Sequence, residues 1–337
     1  MDKHSQGLSL FRAMEENGFL LMDGATGTNL FDMGLQSGDA PELWNDEFPD
    51  RVFKLNAGFV NAGSDVVLTN TFGCNAMRLK LHSSEHRVNE LNEKGAAIAL
   101  KAAESADRNV FVAGSMGPLG ELIEPVGTLS MEDAIEAFSV QALALERGGC
   151  QILWIETISS KEELIAAATG AAHTSLPFAC NASFDTHGRT MMGISPAEFA
   201  KICDELDRKP FAVGSNCGIG PAQTVAAVHE MTLARPGTFS YVAKANCGVP
   251  VWEGANIRYS ATPEQMYVYA QVARSTGASV IGGCCGTRYE HVRLMRKALD
   301  EYVPGDKPSL DQITEQLGSV FKTDKPKESS RKSRRRR

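Results

Sequence analysis

The sequence predicts a single (β/α)8 TIM barrel followed by a disordered basic C-terminal tail, and three observations predict it. Eight short apolar runs recur roughly 30–45 residues apart, and such near-continuous runs are how parallel strands buried on both faces read. A helical pattern follows each run, as right-handed crossovers between parallel strands require. A polar or ionisable residue ends each run, where barrels of this kind keep their working groups. An open doubly wound sheet is the alternative, but eight similar units without a domain break favour closure. The expected organisation is a barrel over 1–303, a flanking helix within 304–321 and a basic tail over 322–337.

Leu8 to Asn17 is a short amphipathic opening, and Phe19-Leu20-Leu21-Met22 is the first run, ending at Asp23-Gly24-Ala25-Thr26-Gly27-Thr28. A polar loop is expected through Pro41 and Trp44, after which Pro49 starts a helix with Val52, Leu55, Phe59 and Val60 on one face. The second run, 65–68, leads into Thr69-Asn70-Thr71-Phe72-Gly73 and a helix near 88–106. The third, 110–113, leads into Ser115 and a helix near 131–147; the fourth, 151–155, into Glu156-Thr157 and a helix over 161–172. The fifth, 177–180, ends at Asn181, with a helix from Pro196. The sixth, 211–213, runs into Gly214-Ser215-Asn216-Cys217-Gly218, with a helix from Pro221. The seventh, 241–243, runs into Lys244-Ala245-Asn246-Cys247-Gly248, with a helix from Pro263. The eighth, 278–281, runs into Gly282-Gly283-Cys284-Cys285-Gly286-Thr287, with a helix from about Tyr289.

An apolar fraction of 43% is ample for a core of this size. No run approaches the ~18 apolar residues of a membrane span, and Glu15, Glu16 and Asn17 interrupt any signal-peptide core. Eight scattered cysteines without a secretory signal point to a reduced, cytoplasmic protein. Residues 322–337 carry nine Lys or Arg against Asp324 and Glu328; this +7 inside a net charge of −7 leaves −14 on residues 1–321. A run of Lys, Ser and Arg of this kind is a solvated tail. It has no aromatic interleaving that would point to a specific nucleic-acid site, only weak attraction to polyanions.

The doubled cysteine carries the chemistry. Adjacent Cα atoms lie closer than a disulfide needs, so Cys284 and Cys285 suit a shared ligand better than each other. Cys217 ends the sixth run, a next-nearest neighbour of the eighth around a barrel. Three thiolates with one open position make a catalytic zinc site. Cys247, ending the seventh run, could instead close a structural four-sulfur site, and buried packing cysteines are the plainer alternative.

The stretches 23–28, 68–73, Glu156-Thr157, Asn216-Cys217 and 282–287 resemble, in order, the homocysteine S-methyltransferase family, over about residues 18 to 300. Within it, Pro41-Glu42-Leu43-Trp44-Asn45 and Phe184 to Gly193 are most similar to bacterial betaine–homocysteine methyltransferases. The resemblance implies a zinc-bearing barrel with Zn2+ on Cys217, Cys284 and Cys285, and Cys247 left out. It implies that Asp23, Gly24 and Glu156 hold the homocysteine amino and carboxylate groups, with Asn216, Thr71 and Trp44 as further contacts. The implied reaction takes a methyl group from betaine to homocysteine, giving methionine and dimethylglycine.

A thiol held by zinc loses its proton and can attack a methyl group on positive nitrogen or sulfur. Trp44, Phe72, Trp252 and Tyr259 are the aromatic candidates for an onium donor. S-Methylmethionine and dimethylsulfoniopropionate are the alternative donors, and a non-catalytic zinc or thiol protein is the alternative of a different class. A folate donor, as in methionine synthase, requires folate and cobalamin modules beyond one barrel. The sequence is compatible with a homo-oligomer.

Overall fold

A computed structural model describes residues 3–248, 250–253 and 256–320. The strands are β1 (Leu20–Leu21), β2 (Val66–Leu68), β3 (Phe111–Met116), β4 (Ile152–Ile158), β5 (Phe178–Ala182), β6 (Ala212–Cys217), β7 (Ser240–Ala245), β8 (Pro250–Glu253), β9 (Asn256–Tyr259) and β10 (Ala278–Gly283). Eight of them form one parallel sheet in the order β1-β10-β7-β6-β5-β4-β3-β2. A parallel bridge between Met22 and Val66 joins its two edges, so the sheet closes into the expected barrel.

Alternation along the strands builds two cores. Leu20, Met22, Val66, Leu68, Phe111, Ala113, Ile152, Trp154, Val242 and Val280 pack together inside the barrel, with Leu10 of the N-terminal helix Lys3–Asn17 beside them. The odd-even partners, among them Leu21, Val67, Val112, Leu153 and Ile281, face the helices instead. This is the period of two expected of a strand with both faces buried.

The helix starts follow local chemistry. Pro49, Pro196, Pro221 and Pro263 stand at first-turn positions, where the missing N–H is no loss. Ser130, Ser160, Ser195 and Thr262 each accept a hydrogen bond from a backbone N–H of the first turn. The expected helices over 131–147 and 161–172 are found with those bounds.

Three features differ from expectation. The loop before Pro41 contains a short helix, Thr26–Asp32, because Asn29 Nδ2 donates to the carbonyls of Ala25 and Thr287 and Leu30 is buried. The excursion after β7 holds the antiparallel hairpin β8–β9, in which Pro250 pairs with Tyr259. Several strands run past their apolar residues, since ladder bonds use the backbone and tolerate polar side chains. In 304–321 the helix Leu310–Leu317 buries Ile313. The basic tail lies outside the described residues. Among them no helix is long and apolar enough to cross a membrane.

Candidate active site

Strand alternation aims most of the site. Ile152 and Trp154 point into the barrel, so Glu156 on the same strand follows them. Phe111 and Ala113 set Ser115 in the same way, and Val242 sets Lys244. Cys284 falls on the inward parity of Val280, one residue beyond β10. Cys217 has the opposite parity to Ala212, and its φ of 62° makes the difference. These groups line a cavity of about 420 Å3 at the carboxyl ends of the strands.

The Sγ atoms of Cys217, Cys284 and Cys285 all lie within 4.8 Å of one another, and Cys217 and Cys285 are 3.9 Å apart. Tetrahedral ligands at ~2.3 Å from a common centre stand ~3.8 Å apart. Three converging soft donors with no fourth protein ligand among the described residues are a donor set that fits zinc with one open position. Thiol donors from Cys217 and Cys284, with the Tyr259 hydroxyl, draw the Cys285 pKa well below its ordinary value. The Tyr259 ring lies over Gly286, where φ is 80° and a Cβ would come within 2.2 Å of the ring. Only glycine fits that turn. Cys247 stands apart, its thiol donating to the Ala261 carbonyl at 3.2 Å.

The end of β7 holds the doubled-cysteine turn from below. Cys284 N donates to the Ala245 carbonyl at 2.6 Å, and Cys247 N to the Cys285 carbonyl at 2.8 Å. Asn246 Oδ1 accepts from Cys285 N at 3.0 Å.

Next to the sulfurs lies a buried charge cluster. Asp23 Oδ2 accepts from Leu68 N at 2.7 Å, while Asp23 Oδ1 is buried with no hydrogen-bond partner. Lys244 Nζ donates to the Gly283 carbonyl at 2.6 Å and lies 3.4 Å from Asp23 Oδ1. Both side chains are 2% exposed. Burial pushes the Asp23 pKa up. Burial works against the Lys244 charge, but Asp23, Cys284 and Glu156 outweigh it and keep the ammonium protonated. Glu156 takes the Ser115 hydroxyl on Oε1 at 2.6 Å. Its pKa is pushed up to about 7 by burial, with Lys244 pulling the other way.

The other expected contacts have different surroundings. Gly24 lines the cavity, and a Cβ there would meet the Phe59 ring at 2.7 Å and the Thr287 carbonyl at 2.8 Å. Thr71 also lines it, but its hydroxyl is engaged by Thr69 Oγ1 and the Ser115 carbonyl. Both ends of the Asn216 amide are taken by Thr157. Trp44 is buried against Phe48 with the Arg51 guanidinium over its ring, and is not brought to the cavity wall. Phe72 and Tyr259 are brought there. The Trp252 side chain lies outside the described residues.

Lys244 is a charged residue of the cavity wall that was not among the expected contacts. A lysine usually reads as surface, but its even spacing from Val242 on a doubly buried strand was the available signal.

Residues 20–299 match the family model described as homocysteine S-methyltransferase. The methionine synthase of Mycobacterium tuberculosis is 29% identical over 314 residues, covering 88% of this chain and 26% of that protein. The methionine synthase of Mycobacterium leprae is 27% identical over 323 residues, with coverages of 91% and 26%. The chain thus spans about a quarter of the length of these curated relatives. The metallated crystal structure of the homocysteine methyltransferase MmuM from Escherichia coli superposes with a TM-score of 0.68 at 22% identity, covering 83% of this chain and 96% of that one. That likeness is one of fold.

Proposed function

The chain belongs to the homocysteine S-methyltransferase family, and from that premise we propose that it transfers a methyl group from betaine to L-homocysteine, with Zn2+ held by Cys217, Cys284 and Cys285. The observation that carries the reading is the three-sulfur cluster sharing a cavity with Glu156 and Lys244, with buried Asp23 paired to that lysine behind them.

Bound zinc would supply one thing here, a thiol stripped of its proton at neutral pH. The protein's own groups do the rest. Asp23, whose Oδ1 faces Lys244 Nζ at 3.4 Å, and Glu156 suit the substrate ammonium, a charge-assisted pairing that offsets the burial of both carboxylates. Gly24, which lines the cavity and has no room for a Cβ against Phe59 and the Thr287 carbonyl, is the contact taken for the substrate carboxylate. Lys244 offsets one of the negative charges gathered around the sulfurs. Phe72 and Tyr259 offer aromatic faces to a positively charged donor.

In the transfer the sulfur lone pair forms the S–CH3 bond as the N–CH3 bond breaks, and that electron pair returns to nitrogen. Methionine and dimethylglycine leave, and the thiol proton goes to solvent when homocysteine binds. Holding the two substrates in line supplies most of the acceleration. The same reading takes 1–303 as the catalytic barrel, 304–321 as its flank and 322–337 as a solvated tail, in a cytoplasmic protein.

A second reading takes the methyl group from a donor carried by another protein module. The match to about a quarter of two methionine synthases favours it. A donor screen with homocysteine fixed separates the readings. Methionine formed with betaine supports the first, methionine formed only with S-methylmethionine or dimethylsulfoniopropionate moves the donor to sulfonium, and no product from any of them leaves the second. Zinc near one per chain is expected. A cluster unaltered by homocysteine in X-ray absorption would instead mark a non-catalytic zinc protein.

A further inference from the structure

We propose that Arg78 selects the methyl donor by taking the carboxylate of a zwitterionic onium compound at the outer end of the cavity. The proposal rests on the onium-donor reading above and names the part of the donor that the reading leaves open.

The cavity is electrically uneven. Its inner end carries the three cysteines and Glu156, with Asp23 behind them. Among the described residues two Lys or Arg side chains line it, Lys244 and Arg78. Lys244 is already bonded to the Gly283 carbonyl and faces Asp23. Arg78 belongs to the exposed part of the lining, with Phe31, Asp39, Phe72, Leu81 and His82. It follows β2 on the short helix Ala76–Lys80, whose start is fixed by buried Asn75, Oδ1 accepting from Arg78 N at 3.0 Å. Its stem runs past Gly120, where a Cβ would come within 2.9 Å of Cδ. The guanidinium makes no hydrogen bond among the described residues and acts on the Glu42 carboxyl only through its charge, so its five donors remain for a ligand.

Donor chemistry supplies the direction. In-line transfer points the departing methyl at the sulfurs, so the rest of the donor must extend away from them. A carboxylate on that arm is repelled by the anionic inner end and meets Arg78 outside. Phe72, 37% exposed beside Arg78, then faces the positive centre. Glu42 on the same wall is buried, its Oε1 taking the Gly73 N–H at 2.7 Å, and burial pushes its pKa up, which lessens its competition for Arg78. Glycine betaine and dimethylsulfoniopropionate share the required chemistry, an onium methyl and a carboxylate.

The test measures kcat/KM for homocysteine methylation by the zinc-loaded enzyme with glycine betaine, glycine betaine methyl ester and dimethylsulfoniopropionate, in wild type, Arg78→Met and Arg78→Lys. Charge-assisted hydrogen bonds of this kind are worth about ten- to hundredfold in binding. The betaine-to-ester ratio is therefore expected to fall by about that factor in Arg78→Met and by less in Arg78→Lys, at unchanged zinc content and thermal midpoint. The free acid favoured by wild type, nitrogen or sulfur, identifies which of the two compounds the site takes. A ratio in Arg78→Met equal to wild type overturns the assignment while leaving the onium reading intact. A wild type that uses none of the three overturns the onium reading and this proposal together.

Discussion

Asn216 holds Thr157 at both ends of one amide: Oδ1 accepts from Thr157 N at 2.8 Å, and Nδ2 donates to Thr157 Oγ1 at 2.7 Å. Thr157 has φ of 64°, a left-handed conformation that a β-branched residue rarely adopts, and Cys217, next to Asn216, has φ of 62°. One side chain therefore holds the strained residue that follows Glu156, and it immediately precedes another that carries a sulfur. Asn216→Ala leaves the Thr157 N–H without its acceptor, which costs about 1–3 kcal/mol. Denaturant unfolding is expected to show that loss, and chelator competition a weaker zinc affinity. A variant with wild-type values of both would assign the clamp no role.

The sulfur cluster makes a sharper prediction. Cys217→Ala, Cys284→Ala and Cys285→Ala should each lower bound zinc, measured by elemental analysis after gel filtration, and remove methionine formation. Cys247→Ala should keep both, because its thiol bonds to the Ala261 carbonyl outside the cluster. Undiminished turnover in Cys217→Ala would sink the zinc-thiolate mechanism.

The barrel was legible because its signals are local and repeated. Apolar runs of parallel strands and prolines at helix starts need no tertiary information, and the helix over 131–147 was bounded from sequence alone. The helix Thr26–Asp32 was not legible, since Asn29 holds it through a carbonyl more than 250 residues away in the chain. The three sulfurs could be read from run ends. Thr157 could not, because a threonine in a left-handed conformation leaves no mark in composition or period. Asn216 is an expected substrate contact whose amide bonds both the N–H and the hydroxyl of Thr157, a pairing that run ends and composition do not show. Trp44 lies away from the cavity wall, its ring against Phe48 and under the Arg51 guanidinium.

Lys244 and Asp23 form a buried pair whose Nζ and Oδ1 are 3.4 Å apart. Removing one partner of such a pair strands the other charge, typically at about 3–5 kcal/mol. Lys244→Met is expected to destabilise the protein by that order. Asp23→Asn added to it should recover part of the loss, because the stranded carboxylate is gone. Thermal unfolding of the two single variants and the double variant measures the coupling. Strict additivity would show that the two charges do not interact.

Glu156 predicts a pH dependence with a definite sign. Burial raises its pKa to about 7, so at pH 6 the free site holds mostly the neutral acid, which pairs poorly with an ammonium. Ammonium binding favours the carboxylate and therefore expels a proton where Glu156 is protonated. Amino-acid affinity should be full above about pH 7 and fall as pH drops through that value, approaching tenfold per unit below it. Homocysteine would confound the measurement, because loss of its own thiol proton has the same sign. Methionine has the same ammonium and carboxylate and no thiol, so calorimetric titration with methionine between pH 5.5 and 8.5 isolates the carboxyl group. Glu156→Gln should bind methionine weakly across that range and flatten the profile. A profile in Glu156→Gln that still falls through pH 7 would move the titration to another group.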